Sequence, residues 1–493
     1  MDINSIANSG LFKTFSDNIL VRPEFFISLI VLICYLFLRR PLHETFAGTM
    51  KCIIGIMIWN IGAGGLVTTF RPILAGLNDR FHMSAAVIDP YFGLAAANKS
   101  LGSLASMVMI ALMFAFLWNL VLVAFGKITK IRTLFLTGHI MLQQATTATF
   151  IVFFALPAYA NATGAIIVGI LVGTYQAVFS NLTVEACNNL TDNAGFAIGH
   201  QQMGAVWLTD KIAGKLGNKD KNLDNIKLPK SLSIFNDNVV TAGTLMLVFF
   251  GIIMFILGEP YMRGLENPII NGVLVPSGNF PKTLSFPAYI INRSLTFSVY
   301  LFILMSGVRM FVAELTTAFQ GISDKFIPGL TPAVDCAATY GYGAKNAVVY
   351  GFIFGALGQF IAIAGLLVFH SPIMIITGFV PVFFDNATLA VFANKRGGVR
   401  AATIIPICCG ILQVLGGAFA IWFFGAGVQS PLTGGWHGSI DWDTIWPAFG
   451  VFANIFKIFG VFALIVAMLA IPQIQYRKNK ATYFAKPEED LDN

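Results

Sequence analysis

TGHIMLQQATTATF (137–150) and TGFVPVFFDNATLAVF (377–392) each open on Thr-Gly, and each puts polar residues in the middle of an apolar run. Three other pairs follow the same order along the chain. LVTTF (66–70) goes with LTTAF (315–319), and AVID (86–89) goes with AVD (333–335). GLNDRF (76–81) goes with GISDKF (321–326), alike in character at every position. The separation stays between 240 and 249 residues, close to half of the 493-residue length. One short match is weak evidence; four in one order point to an internal duplication.

What is duplicated is a set of membrane crossings. The chain is 56% hydrophobic and 11% charged, whereas a soluble domain carries about a quarter charged residues. It cannot cover a water-facing surface, which excludes a soluble enzyme, a nucleic-acid binder and a disordered protein together. A helix needs roughly 20 apolar residues to cross the hydrocarbon core. Qualifying stretches run near 23–38, 49–70, 103–126, 133–157, 163–183, 239–258, 295–319, 348–370, 371–394, 401–425 and 452–475, eleven in all. Lys and Arg collect after the first, third, ninth and eleventh stretches and before the sixth, where Lys211, Lys215, Lys219, Lys221, Lys227 and Lys230 fill one loop. Alternating crossings bring all five clusters to one face, so the N-terminus is expected outside and the C-terminus inside. The net charge of +7 then bears on orientation and lipid headgroups. The N-terminal MDINSIANSGLFKTFSDN has no basic region and apolar run of a signal peptide and reads as mature.

Five crossings per repeat is an odd number, so the two copies must be inverted. The expected fold is an all-α polytopic membrane protein. It has eleven transmembrane helices in two inverted five-span repeats plus one extra helix, with re-entrant hairpin segments. Residues 1–238 form the first repeat with its basic inner loop, 239–425 the second, and 426–493 the eleventh span and tail. The segments 259–294 and 426–451 read as polar loops on the outer surface. Inverted repeats suit a carrier that alternates access, with its ligand near the midplane, better than a channel or structural membrane protein.

Ionisable residues within spans are costly and mark candidate sites. His139 and Gln143 are four apart, on one helix face. Both donate and accept hydrogen bonds, which suits a polyhydroxyl ligand; the alternative is a satisfied bond between spans. GFAIGHQQ (195–202) repeats the chemistry with His200, Gln201 and Gln202. It reads as a re-entrant segment or as an amphipathic helix on the inner surface. Asp89 and Asp335 occupy matching places in the two halves, as caps of broken helices, as ligand contacts, or as both. Arg309 and Glu314 fit a buried ion pair or an interface role better than direct ligand contact, and Asp385 is read likewise. The six cysteines lie in or beside apolar stretches without a CxxC pair, as buried small hydrophobes. No GxxxxGKS loop is present.

The chain resembles the ascorbate-specific IIC permease family of the bacterial phosphotransferase system. The resemblance runs along nearly the whole chain. It is carried by IRTLFLTGHIMLQQ (131–144), GFAIGHQQ (195–202), GVRMFVAEL (307–315), AVDCAA (333–338), NAVVYGF (346–352) and GFVPVFFDNATLAVFAN (378–394). It implies a homodimer whose protomers divide into a dimer-forming scaffold and a moving core that carries the sugar. It also implies binding positions at Pro90, Tyr91, His139, Ile140, Met141, Leu142, Gln143, His200, Gln201 and Asp335. Pro90 departs from the pattern, which has a hydroxyl residue there. The implied activity is transport of L-ascorbate, or a related sugar acid, inward across the bacterial cytoplasmic membrane by alternating access. A separate IIB protein, phosphorylated on cysteine, then phosphorylates the sugar. The chain is thus expected to be a transport subunit and not an enzyme, with no cofactor and no metal. Its partners would be the sugar acid, the IIB protein, a second copy and the lipid bilayer, but no nucleic acid. The competing reading is an ion-coupled secondary transporter with Asp335 or Glu314 as proton carrier.

Overall fold

The structure is a computed structural model and describes residues 22–81, 84–226, 229, 237–263, 269–270, 273–274, 284–326, 330–425 and 435–484. The N-terminal stretch 1–21, Lys227, Lys230 and most of 264–283 lie outside them. In the first half the main helices are α1 (Pro23–Phe37), α2 (Leu42–Phe81), α3 (Pro90–Leu101), α4 (Met107–Ala124), α5 (Gly138–Ala155), α6 (Ala162–Leu182) and α7 (Met203–Leu216). In the second half they are α8 (Asn238–Leu257), α9 (Phe286–Phe326), α10 (Ala347–Val368), α11 (Asn386–Phe424) and α12 (Ile445–Lys478). Seven helical stretches among the described residues are long and apolar enough to cross a membrane: Leu42–Gly62, Pro90–Ala124, Ala162–Thr191, Phe286–Leu315, Ala347–Val368, Pro381–Phe424 and Ile440–Lys478. This is a multi-pass membrane protein.

Two of the eleven apolar stretches begin as strands, and a third, at 452–475, is broken at Lys457, whose φ is +54°. The stretch at 133–157 starts as strand β2 (Thr133–Phe135) before α5 begins, where β1 is Ser84–Ile88. The stretch at 371–394 starts as a strand at Ile373–Thr377 and passes through a π-helical turn, Pro381–Asp385, into α11. At 1.5 Å per residue α11 would reach about 58 Å, roughly twice the hydrocarbon thickness. It breaks at Gly398, whose φ is +61°.

Helices α2 and α9 pack against each other, with α1 and α8 on their flanks. Glycine makes this approach possible: a methyl group at Gly62 would sit 2.5 Å from the backbone N of Leu304. In lipid, where no hydrophobic force drives helices together, close backbone packing supplies much of the association. The remaining helices form the other side, α4 against α6, α10 along α11, and α12 against α5 and α6.

Within this helical body lie two small parallel sheets. Strands β3 (Ala197–Ile198) and β4 (Thr331–Val334) join β2, in the order β2-β4-β3. Strands β5 (Ile373–Thr377) and β6 (Gly435–Trp436) flank β1, in the order β5-β1-β6. Both sheets therefore pair residues from distant parts of the chain.

The reading of 426–451 as a polar surface loop is corrected over its described part. Residues 435–443 are buried, with Trp436 and Trp442 at most 2% exposed. Trp442 stacks on Trp446 with ring centroids 4.4 Å apart and on His437 at 4.5 Å. Trp, His, Ser and Asp lower the average hydropathy of the segment, while the tryptophan rings carry large apolar areas that pack inside.

Candidate functional site

Because β2, β4 and β3 are parallel, their carboxyl ends share one edge, and a helical segment begins beyond each. Such an edge is where ligands bind in open parallel sheets, with helix N-termini converging on it. After β2 comes α5, with His139 in its first turn. After β4 comes Asp335, whose Oδ1 accepts the N–H of Ala337 at 2.9 Å and caps the turn Cys336–Tyr342. After β3 come Gly199, His200 and Gln201. A methyl group at Gly199 would meet the Ala333 carbonyl at 2.7 Å, so the approach of β3 to β4 needs glycine there.

The side chains meet at this edge. His139 Nε2 lies 3.7 Å from Asp335 Oδ2, and the His139 and His200 rings are edge-to-face with centroids 6.3 Å apart. His200 Nδ1 is 2.6 Å from Gln202 Oε1, and Gln202 in turn donates to Thr388 at 3.1 Å. Gln201 donates to Gln143 Oε1 at 2.8 Å, Gln144 donates to Gln201 Oε1 at 3.2 Å, and Gln176 donates to Gln144 at 3.0 Å. A chain of carboxamides thus holds the two histidine segments to each other. In GFAIGHQQ the residues His200, Gln201 and Gln202 are all buried, and the segment runs as a short strand and turn, not as a helix.

Beyond the edge opens a cavity of about 350 Å³. Tyr91, His139, Ile140, Gln143, His200 and Asp335 line one side of it, with Ala337, Val380 and Phe384. Met305, Arg309 and Ala313, all from α9, line the other. Of the positions singled out in the sequence, Gln201 sits one step behind the lining and orients Gln143. Pro90, Met141 and Leu142 are buried and do not line the cavity. Arg309 and Glu314 do not pair with each other: Glu314 binds Tyr35 Oη at 2.6 Å and Lys51 Nζ at 3.3 Å, while Arg309 faces the cavity. Asp385 does not reach it; it accepts from the Ile440 N–H and from Gln413. Sequence reading missed Phe384, whose ring lies 6.2 Å from the His200 ring at an interplanar angle of 27°. Its place after the Pro381 turn in a repeat-matched segment was the available signal.

The metal-ligating atoms of His139, His200 and Asp335 all lie within 4.8 Å of one another, a set able to bind a divalent cation. Arg309 on the facing wall opposes a cation there. A larger groove of about 670 Å³, between α2, α8 and α9, is lined by Ile58, Val240, Leu247, Leu295 and Phe302 with a few hydroxyls. It has no ionisable group and offers little to a polyhydroxyl ligand.

A membrane protein with interrupted helices around a polar cavity is a permease by class. Residues 18–438 match the family described as the PTS system sugar-specific permease component, and the chain belongs to this family. It is 34% identical over 441 residues to the ascorbate-specific PTS system EIIC component of Mycoplasma pneumoniae (strain ATCC 29342 / M129 / Subtype 1). The match covers 83% of this chain and 66% of that protein, so this chain spans just under two thirds of the relative's length.

Proposed function

We propose that this chain binds L-ascorbate, or a related sugar acid, in the cavity between α9 and the strand ends, at Tyr91, His139, Gln143, His200 and Asp335. It carries the ligand inward by alternating access across the bacterial cytoplasmic membrane, and a separate IIB protein phosphorylates it there. The carrying observation is the convergence of two histidines, a carboxylate and a glutamine at the shared edge of β2, β4 and β3. Imidazole and carboxamide both donate and accept, and the carboxylate accepts, so ring and side-chain hydroxyls all find partners. The name of the Mycoplasma pneumoniae relative supports ascorbate as the substrate. The transported sugar would be trapped by its phosphate, so no ion gradient is required.

The topology we propose has eleven crossings, an outer N-terminus, an inner C-terminus, a homodimeric assembly and inverted repeats at 1–238 and 239–425. The eleventh span and tail follow at 426–493. Strand pairing supports the duplication. β1 precedes Asp89 in the first half and β4 precedes Asp335 in the second; β1 pairs with β5 of the second half, and β4 pairs with β2 of the first. A two-residue strand stands beside each: Ile198 lies opposite Val334, and Trp436, from beyond the second repeat, lies opposite Ile88, one residue before Asp335 and Asp89. The inner face gains support from two basic segments that meet: Arg396 bonds Asp210 at 2.7 Å, and the Val399 N–H bonds the Lys221 carbonyl.

Equilibrium binding of radiolabelled L-ascorbate to the purified chain, competed by sugars and sugar acids, tests the ligand. Competition by neutral sugars as strong as by ascorbate would defeat the assignment. Phosphorylation of bound ligand upon addition of phosphoenolpyruvate and the relay proteins tests the coupling; uptake abolished by an uncoupler alone would argue for ion coupling.

A further inference from the structure

We infer that Arg309 recognises the negative charge of the ligand, so that the cavity selects an ionised sugar acid over a neutral sugar of the same shape. The inference rests on the cavity being the ligand site. Arg309 lies on α9, four residues from Met305 and from Ala313, and these three make the wall opposite the strand ends. An arginine on a membrane helix is costly unless it pairs or faces a polar cavity. The neighbouring acid, Glu314, is engaged by Tyr35 and Lys51. No hydrogen bond or ion pair within the described residues engages Arg309, although its charge acts on His139 and Tyr91.

Asp335 is the carboxylate on the lining, and it is turned toward the imidazoles and the Ala337 N–H. The cavity therefore separates its charges, with an acid beside the two histidines and a cation on the facing wall. A neutral polyhydroxyl ligand would satisfy the histidines and Gln143 and leave the guanidinium with only weak acceptors. The enediol of ascorbate is a vinylogous acid, ionised at neutral pH, and its adjacent oxygens match the fork of a guanidinium. Because Arg309 belongs to α9 and the hydrogen-bonding groups belong to the strand–helix side, a bound anion spans the cavity and joins the two walls.

The test is equilibrium binding to the purified full chain at neutral pH, with wild type, Arg309→Gln, Arg309→Glu and His139→Ala. The probes are L-ascorbate and the neutral L-gulono-1,4-lactone. Arg309→Gln should weaken ascorbate about ten- to 150-fold, the range of a hydrogen bond to a charged group, and change the lactone less than about threefold. Arg309→Glu should bind ascorbate more weakly still, whether or not the lactone is tight enough to measure. Thermal unfolding should be unchanged in both variants, since Arg309 holds no other residue among the described ones. Equal ascorbate affinities of the Gln and Glu variants, an unaltered affinity in both, or equal losses for the two ligands would each overturn the inference. A wild type that binds no ascorbate, or a His139→Ala variant that binds it normally, would instead overturn the assignment of the cavity.

Discussion

Asp335 and Asp89 each follow a parallel strand, each cap the turn that comes next, and each stand beside a two-residue strand from elsewhere in the chain. Around Asp335 the side chains face a cavity. Around Asp89 the polar groups bond to each other, and only Tyr91 and Val380 reach the cavity. Asp89 is fully buried and accepts from the N–H groups of Tyr91 and Val380 at 3.0 and 3.3 Å. Thr137-Gly138 is followed by His139, whereas Thr377-Gly378 is followed by the buried Phe379. The segment after β6 fills the remaining space with Trp442, Trp446 and His437. Its acid Asp441 accepts from Tyr175 Oη and from the N–H groups of Gly204 and Ala205 at 2.8–3.1 Å. One frame thus serves two ends. Side chains that face outward line a cavity, and side chains that bind inward make a tie between segments.

The largest effect should come from cutting that tie. Asp441→Ala strands three donors in the interior and should cost about 3–5 kcal/mol of stability, measured by thermal unfolding in detergent; a change below about 1 kcal/mol would mean that the second junction is not structural. On the other side, His139→Ala and His200→Ala should each weaken ligand binding by about 1–3 kcal/mol, or roughly five- to 150-fold, with the unfolding temperature little altered. Normal affinity in both would erase the distinction between the junctions. A paired test is sharper: Asp89→Ala and Asp335→Ala each remove a helix cap worth about 1 kcal/mol, but the latter, which also removes a group on the cavity lining, should lower affinity more. The smallest effect lies outside both junctions, at Asp210. Burial pushes its carboxyl up, but hydrogen bonds from Arg396 and Lys211 outweigh this and hold it below the ordinary value. Its contribution should be complete above about pH 4, the ordinary carboxylate range, and be lost as the pH falls through the lowered value. Asp210→Asn should therefore cost about 1 kcal/mol at neutral pH and nothing in strong acid, as read from the unfolding midpoint at each pH.

Much of the candidate site was legible. His139 with Gln143, the GFAIGHQQ segment and Asp335 stand out because polar groups are rare in apolar stretches, and the structure brings all three to one sheet edge. The matched stretches AVID and AVD also singled out Asp89 and Asp335, each of which follows a parallel strand. The side each faces was not legible. Hydropathy averaged over a window treats Trp436, His437, Asp441 and Trp442 as surface, and local spacing says nothing of a partner strand some 350 residues earlier. Arg309 was visible as an arginine in a span, but an ion pair with Glu314 five residues on was the local reading. In the folded chain Glu314 bonds Lys51 and Tyr35, more than 260 residues away.

Sequence by itself determined that this chain lives in a membrane, that short stretches of its two halves match in order, and which polar residues are out of place in hydrocarbon. These follow from composition and from the length that a crossing demands, which are properties of local stretches. Tertiary structure decided which polar residues meet, which of two similar junctions is open, and that the cavity has a cationic wall. Those outcomes depend on strands that pair only after the halves have come together, and on α9 crossing in front of one strand edge. The physical reason is that a buried polar group is satisfied by whatever reaches it in space, and reach across the fold is not written in sequence separation.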